Sequence, residues 1–306
     1  MTAVSQRLSR TALELTQHDI QSLRWSERGF VFEIRSSDNK LLEMAHRVLA
    51  VTSPAASRCS SRCWNIERTE SNEDGAWLVS GESKNSSMVP MLAESREMAV
   101  LYVEQDALDW LLNNSTDTVT VHAALLAKNG KGIVIVGPSF AGKSTLATAL
   151  WREGWSLMSD DLVFIDTVAR IASPTPRRVS LRFESRELVG DSLWTEITDT
   201  PSCITTTKGL FFHPHEVSGR DKQRTTLLSA IFFLARRDTI MGPAEVRSIN
   251  AARGALSLLP YAFNVRALPF VEGLRHITPL LDKVPAFDLG RGDLHAMINA
   301  VEVTVG

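Results

Sequence analysis

The sequence predicts an α/β protein in two parts: a β-rich N-terminal domain over residues 1–96 and a mixed-sheet domain over 97–306. Three observations carry that reading. The apolar run Ile133-Val134-Ile135-Val136 meets a glycine-bounded loop and then Thr145-Leu146-Ala147-Thr148-Ala149-Leu150-Trp151, a strand–loop–helix order. Asn129-Gly130 stands between two apolar runs, the strongest short-range hairpin signal, so the strand before the loop is antiparallel to its predecessor. The texture also changes at Met98. Before it lie the alternating run Phe30-Val31-Phe32-Glu33-Ile34 and Ser-rich, loop-like stretches at 53–62 and 80–87.

In the first part, residues 1–16 have no apolar segment of the kind a signal peptide needs. Residues 41–51 are apolar and read as helix or strand. No catalytic constellation stands in 1–96, and a regulatory, oligomerisation or substrate-presenting role all remain open. The three cysteines, Cys59, Cys63 and Cys203, are too few and too oddly spaced for a disulfide framework. They read as reduced cytosolic thiols. Cys59-x3-Cys63 lacks a second ligand pair, which argues against a metal there. A net charge of −2 over 306 residues gives no electrostatic case for nucleic acid or an anionic membrane. Arg177-Arg178 and Arg236-Arg237 read as solvated faces, and no apolar run reaches transmembrane length.

From Met98 the expected order is a strand at Ala99-Val100-Leu101-Tyr102-Val103, a helix over 106–112 closed by Asn113-Asn114, and a strand over 118–126. A two-residue turn at Asn129-Gly130 pairs Lys128 with Lys131, and counting back sets His122 opposite Gly137. That register brings an imidazole to the loop; a satisfied core histidine is the other reading. The loop itself, Gly137-Pro138-Ser139-Phe140-Ala141-Gly142-Lys143-Ser144, fits G-x-x-x-x-G-K-[ST], although Phe140 and Ala141 are bulky for it. In such a loop backbone N–H groups and a helix N-terminus face phosphates, Lys143 reaches the β/γ-phosphates, and the Ser144 hydroxyl binds Mg²⁺. Thr145 follows on the first helical turn. Gly154 caps the helix. Trp155-Ser156-Leu157-Met158 reads as a strand ending in Ser159-Asp160-Asp161, and Leu162-Val163-Phe164-Ile165 as another. Paired carboxylates at a strand end, after such a helix, can divide metal binding from proton acceptance.

Beyond residue 170, Ser173-Pro174-Thr175-Pro176 reads as a break and Val179-Ser180-Leu181-Arg182-Phe183 as a strand. Residues 227–234 read as a buried strand, 245–259 as a helix stopped by Pro260, and 294–301 as a closing helix. His213-Pro214-His215 lacks a third metal ligand at suitable spacing and reads as a loop.

His122, the loop from Gly137 to Ser144, and Ser159-Asp160-Asp161 together resemble the catalytic core of HPr kinase/phosphorylase and its wider group of related proteins. Twenty-one positions separate His122 from Lys143 and 17 separate Ser144 from Asp161, as in that family. Pro174-x-Pro176-Arg177 with Val179-Ser180-Leu181-Arg182, Ala230-Ile231-Phe232-Phe233-Leu234 and Val284-Pro285-Ala286-Phe287-Asp288-Leu289 resemble the related group. The resemblance spans residues 98–301 and implies a P-loop fold akin to that of phosphoenolpyruvate carboxykinase. It also implies ATP and Mg²⁺ as cofactors and a homo-oligomer. By the resemblance, Lys143 contacts the β/γ-phosphates, Ser144 ligates Mg²⁺ and Asp160 supports it. Asp161 accepts the proton of the attacking hydroxyl, with His122 beside the transferred group. The family's Glu-Ile-Arg-Gly type motif has no counterpart here; Glu184 and Glu187 are the nearest carboxylates by position.

These readings make the chain a cytoplasmic ATP-dependent kinase of a hydroxyl group, foremost a serine of a peptide or protein. A small-molecule alcohol kinase and a non-catalytic nucleotide-binding regulator are the alternatives. A groove formed by Arg177, Arg178, Arg182, Arg220 and Arg224 could hold an acidic acceptor, with a solvated surface as the blander reading.

Overall fold

The computed structural model describes residues 20–49, 61–69, 76–83, 87–115, 117–175, 177–207, 209–219, 223–234 and 242–306. Residues 1–16, most of 53–62, Cys59, Pro176, Arg220 and Arg236-Arg237 lie outside the described residues. The chain divides into two compact units, residues 1–45 with 53–99 and residues 46–52 with 100–306.

The first unit is a five-stranded sheet in the order β1-β2-β3-β4-β5. Its strands are β1 (Gln21–Glu27), β2 (Phe30–Ser36), β3 (Arg62–Thr69), β4 (Ala76–Glu82) and β5 (Met91–Ala93). β2 and β3 run parallel, with helix α1 (Asn39–Val48) between them in the chain, and the other pairs are antiparallel. Strand alternation puts Trp25, Phe32 and Trp64 together on one buried face, with ring centroids 5.4 to 6.0 Å apart. The ambiguous segment after residue 40 is helical because Asp38 caps it, accepting from the Leu41 N–H at 3.1 Å. The predicted loop at 80–87 is corrected at its start, because Ser80 to Glu82 complete β4 against β3.

Helix α2 (Arg96–Asn114) leads to an eight-stranded mixed sheet in the order β10-β9-β6-β7-β14-β16-β15, with β8 also paired to β6. The members are β6 (Val119–Lys128), β7 (Lys131–Val136), β8 (Ser156–Ser159), β9 (Leu162–Asp166) and β10 (Ile171–Pro174). β14 (Thr226–Leu234), β15 (Val246–Ile249) and β16 (Ala286–Leu289) complete it. β7 lies antiparallel to β6 and parallel to β14, which itself runs parallel to β16. Because the centre is covered on both faces, β7 reads as a continuous apolar run. Ile133 and Ile135 face a core that includes Leu146, Leu150 and Trp151 of helix α3 (Lys143–Arg152). Val134 and Val136 face the opposite core, beneath α7 (Ala251–Leu258) and α8 (Phe270–Leu281). A small three-stranded sheet, β11 (Val179–Leu181), β12 (Ile204–Thr206) and β13 (Gly209–Phe212), packs on the α3 side. It is accompanied by α4 (Arg186–Val189), α5 (Asp191–Thr198), α6 (Pro214–Ser218) and α9 (Leu294–Val305). Among the described residues no helix is long and apolar enough to cross a membrane.

Three sequence expectations are corrected. Ala99 to Val103 are helical, inside α2, because buried Ala99, Val100, Val103, Ala107, Leu108 and Leu111 recur at helical spacing. Ser173 and Pro174 end strand β10 rather than break the chain; Pro174, which lacks an N–H, sits at the last position. Residues 246–249 form β15 on the sheet edge, and the helix begins only after Asn250, whose side chain accepts from Arg253 N–H.

Phe232, fully buried in the central β14, presents its ring to the α3-side core and stacks on Phe287. Phe232→Ala is expected to lower unfolding free energy by about 3–5 kcal/mol, read from chemical denaturation; a loss below about 1 kcal/mol would show that this strand does not centre the core.

Candidate active site

The site starts from the hairpin. Asn129 and Gly130 both have positive φ, 53° and 77°, the two-residue turn whose twist matches its strands. The ladder then runs from Lys128↔Lys131 to Ala123↔Val136, which carries His122 alongside Gly137, as the register count expects. On its other edge β6 pairs His122 with Leu162 of β9, and Ala123 N–H donates to the Asp161 carbonyl at 2.9 Å. One strand therefore brings the imidazole to both the loop and the carboxylate pair.

Asp161 is held from two sides. His122 Nδ1 lies 3.0 Å from Oδ1, and Arg177 Nη1 donates to Oδ2 at 2.8 Å. Burial pushes its pKa up, but the His122 hydrogen bond and the Arg177 charge outweigh that and keep it below the ordinary carboxylate value. Asp160 points the other way. Only 6% exposed, its Oδ2 accepts from Ser180 N–H at 3.0 Å and the Ser180 hydroxyl at 3.2 Å. Burial dominates, and its pKa is pushed up to about 6.

The loop closes under this pair. A side chain at Gly137 would be crowded, since a Cβ there would lie 3.1 Å from Leu234 Cβ and 3.3 Å from Ala141 Cβ. Ala141 is buried, and its N–H donates to Pro138 O at 3.1 Å. Gly142, at φ 97°, stands at the N-cap of α3 and offers no side chain to its first N–H groups. Lys143 is buried and folds back, donating to Gly137 O at 2.9 Å and Pro138 O at 3.4 Å. Burial lowers its pKa, and the charges of Asp161 and Asp160 oppose that. Ser139 and Phe140 form the crest, with Phe140 at φ 63° and 74% exposed. Ser144 and Thr145 lie in the first turn of α3, where Thr145 borders a groove of about 240 Å³ shared with Leu294, His295 and Ile298.

Other expected residues go elsewhere. Arg178 is neither groove nor solvated face: its side chain is fully buried on Glu104, Nη2 to Oε2 at 2.9 Å. Glu184 and Glu187 are exposed, the first on the turn after β11 and the second in α4, and the described residues hold no cluster of three or more His, Cys, Asp or Glu suited to a metal. His213 is buried with Nε2 2.8 Å from Val48 O. Cys63 and Cys203 are free thiols, and burial pushes Cys63 up to about 11. The sequence reading missed Arg177 as the partner of Asp161 and Ser180 as the partner of Asp160. The available signal was strand alternation: Val179 and Leu181 are buried in the core, so Ser180 and Arg182 share the opposite face.

No family model matches the sequence. Over 64 residues the chain is 36% identical to HPr kinase/phosphorylase from Lachnoclostridium phytofermentans, an alignment covering 21% of each protein. Over that stretch the chain resembles HPr kinase/phosphorylase. The chain thus spans about one fifth of the length of that relative. A solved HPr(Ser) kinase/phosphatase from Coxiella burnetii matches 60% of this chain and 93% of its own, at 14% identity and a TM-score of 0.34.

The two aspartates give opposite pH signatures. Asp161, held below the ordinary value, contributes stability that is lost only as pH falls through its lowered pKa. Asp160, at about 6 against an ordinary 3.8, keeps a proton in the fold that the unfolded chain has released. Stability is therefore expected to fall as pH rises from 4 to 6, by about 3 kcal/mol, and to level above 6. Asp160→Asn should remove that slope in chelator-containing buffer; an unchanged slope would assign it to another group.

Proposed function

We propose that this chain is an ATP-dependent kinase that phosphorylates a serine hydroxyl of a peptide or protein. The observation that carries the reading is Asp161, ionised and held by His122 and Arg177, with Lys143 and Asp160 close enough to act on it and on each other. The HPr-kinase-like relation supports a phosphotransferase. The similar protein is, by its name, a kinase of HPr, which supports an acceptor of protein class here.

The loop fits a nucleotide's phosphates. Gly137 and Gly142 keep its backbone open, and the α3 N-cap has no side chain competing for the first N–H groups. Gly137, Pro138, Ser139, Phe140, Ala141, Gly142, Lys143, Ser144 and Thr145 would line the phosphates, with the Lys143 ammonium turning from the Gly137 carbonyl to them. Ser144 and Asp160 would hold Mg²⁺. A buried carboxylate that resists ionisation is one a cation would stabilise, so Asp160 fits that role. When bound, Mg²⁺ would neutralise charge on the β- and γ-oxygens.

In the reaction the acceptor oxygen bonds to the γ-phosphorus. The bond from that phosphorus to the β–γ bridging oxygen breaks, and ADP leaves. The hydroxyl proton passes to Asp161. A loose transition state draws on the attacking oxygen late, so a carboxylate of low basicity suffices. His122 and Arg177 fix both Asp161 oxygens, which orients the accepting lone pair. A cytosolic setting goes with ATP as the donor.

Asp161→Asn is expected to lower phosphate transfer by about 10²–10⁴-fold while ATP affinity, measured by calorimetry, stays within about threefold. Intact-mass analysis of acceptor peptides with Mg²⁺-ATP reads the transfer. Wild-type turnover in the variant would remove Asp161 from the chemistry, and transfer only to small alcohols would replace the peptide acceptor.

A further inference from the structure

Two guanidinium groups flank the crest and neck of the loop, and neither has a carboxylate partner among the described residues. Arg182 lies over the face of Phe140, Cζ 4.5 Å from the ring centroid. Arg291 Nη2 lies 4.0 Å from where a Cβ on Gly142 would sit. The other arginines nearby are engaged: Arg177 with Asp161, Arg178 with Glu104, Arg186 with Asp191.

Both are carried by anchored backbone. Ser180 is tied to Asp160 by two hydrogen bonds, and Arg182, two residues on, leaves β11 in extended geometry on the same face. The Arg291 segment is fixed against residues 242–245: Gly290 N–H donates to Glu245 O at 2.8 Å and Ala244 N–H to Arg291 O at 3.4 Å. Glycines on either side permit this approach, since a Cβ on Gly290 would come within 2.3 Å of Gly242 O.

We infer that Arg182 and Arg291 are the two arms of a polyphosphate clamp. Arg182 serves the transferred phosphoryl group and Arg291 the departing nucleotide. The inference rests on the kinase reading and adds to it two residues and a division of labour. Position makes the division. Arg182 comes from the strand bound to Asp160, next to the proton acceptor Asp161. Arg291 comes from the approach to α9, where Leu294 and His295 share a groove with Thr145. Phe140 is the resting place of Arg182: a guanidinium stacked on an exposed ring keeps its N–H edges available, and the ring contact at an exposed site is weak enough to yield to phosphate oxygens. Guanidinium groups also suit the planar spread of charge over phosphoryl oxygens better than an ammonium does.

The test compares Arg182→Gln and Arg291→Gln for ATP and ADP affinity by calorimetry and for steady-state transfer. Arg182→Gln is expected to lower kcat by about 100-fold or more and to erase any preference for ATP over ADP while leaving ADP affinity unchanged. Free guanidinium should restore part of its kcat. Arg291→Gln is expected to weaken ATP and ADP alike by about tenfold, raising KM with kcat nearly kept. Equal loss of ADP binding in both variants, or an Arg182→Gln defect that guanidinium leaves untouched, would mean loop packing and overturn the clamp. Wild-type behaviour in both would overturn it while the kinase reading stands. A wild-type protein that binds no nucleotide would overturn both.

Discussion

The register of one hairpin governs this site. The turn at Asn129-Gly130 fixes β6 against β7, and β6 in turn fixes β9. His122, Gly137 and Asp161 are consequences of that count, although the turn lies at the far end of the strands. A slip of one residue would reverse every side chain of β6 and exchange the two cores. Burial on both faces of β7 makes such a slip prohibitive, so the core that stabilises the sheet also holds the imidazole to the carboxylate.

Adjacent residues of one sequence acquire opposite electrostatics here. Asp160 turns into the protein against Ser180 and becomes reluctant to ionise, whereas Asp161 turns to His122 and Arg177 and ionises readily. Neither outcome belongs to aspartate as such. Each follows from which way the chain faces between β8 and β9, and that is set by pairing on both sides of β6.

Much of the arrangement was legible because it is local. Strand, loop and helix from Ile133 to Trp151, the hairpin and the strands around Asp160-Asp161 are short-range patterns, and the structure matches them. The errors came where tertiary packing overrode local preference. Residues 99–103 are β-prone in isolation but lie in a helix with a buried stripe, and 246–249 hold helical spacing yet complete a sheet edge. Arg177 was visible only as charge, because its partner lies 16 residues away across a turn. Arg178, one position on, looked the same in sequence and is wholly buried. Arg291 had no signal beyond the glycines on either side of it.

That buried arginine has a consequence for how the chain can vary over time. Arg178 and Glu104 come from distant elements, and among the described residues several of their polar atoms meet no other partner: Arg178 Nε and Nη1 and Glu104 Oε1. Losing either residue strands a charge in the interior, a loss of about 3–5 kcal/mol, whereas an apolar pair of similar volume is tolerated. Positions 104 and 178 are therefore expected to be inherited as one character, kept together or replaced together, because either single change brings the fold near its edge.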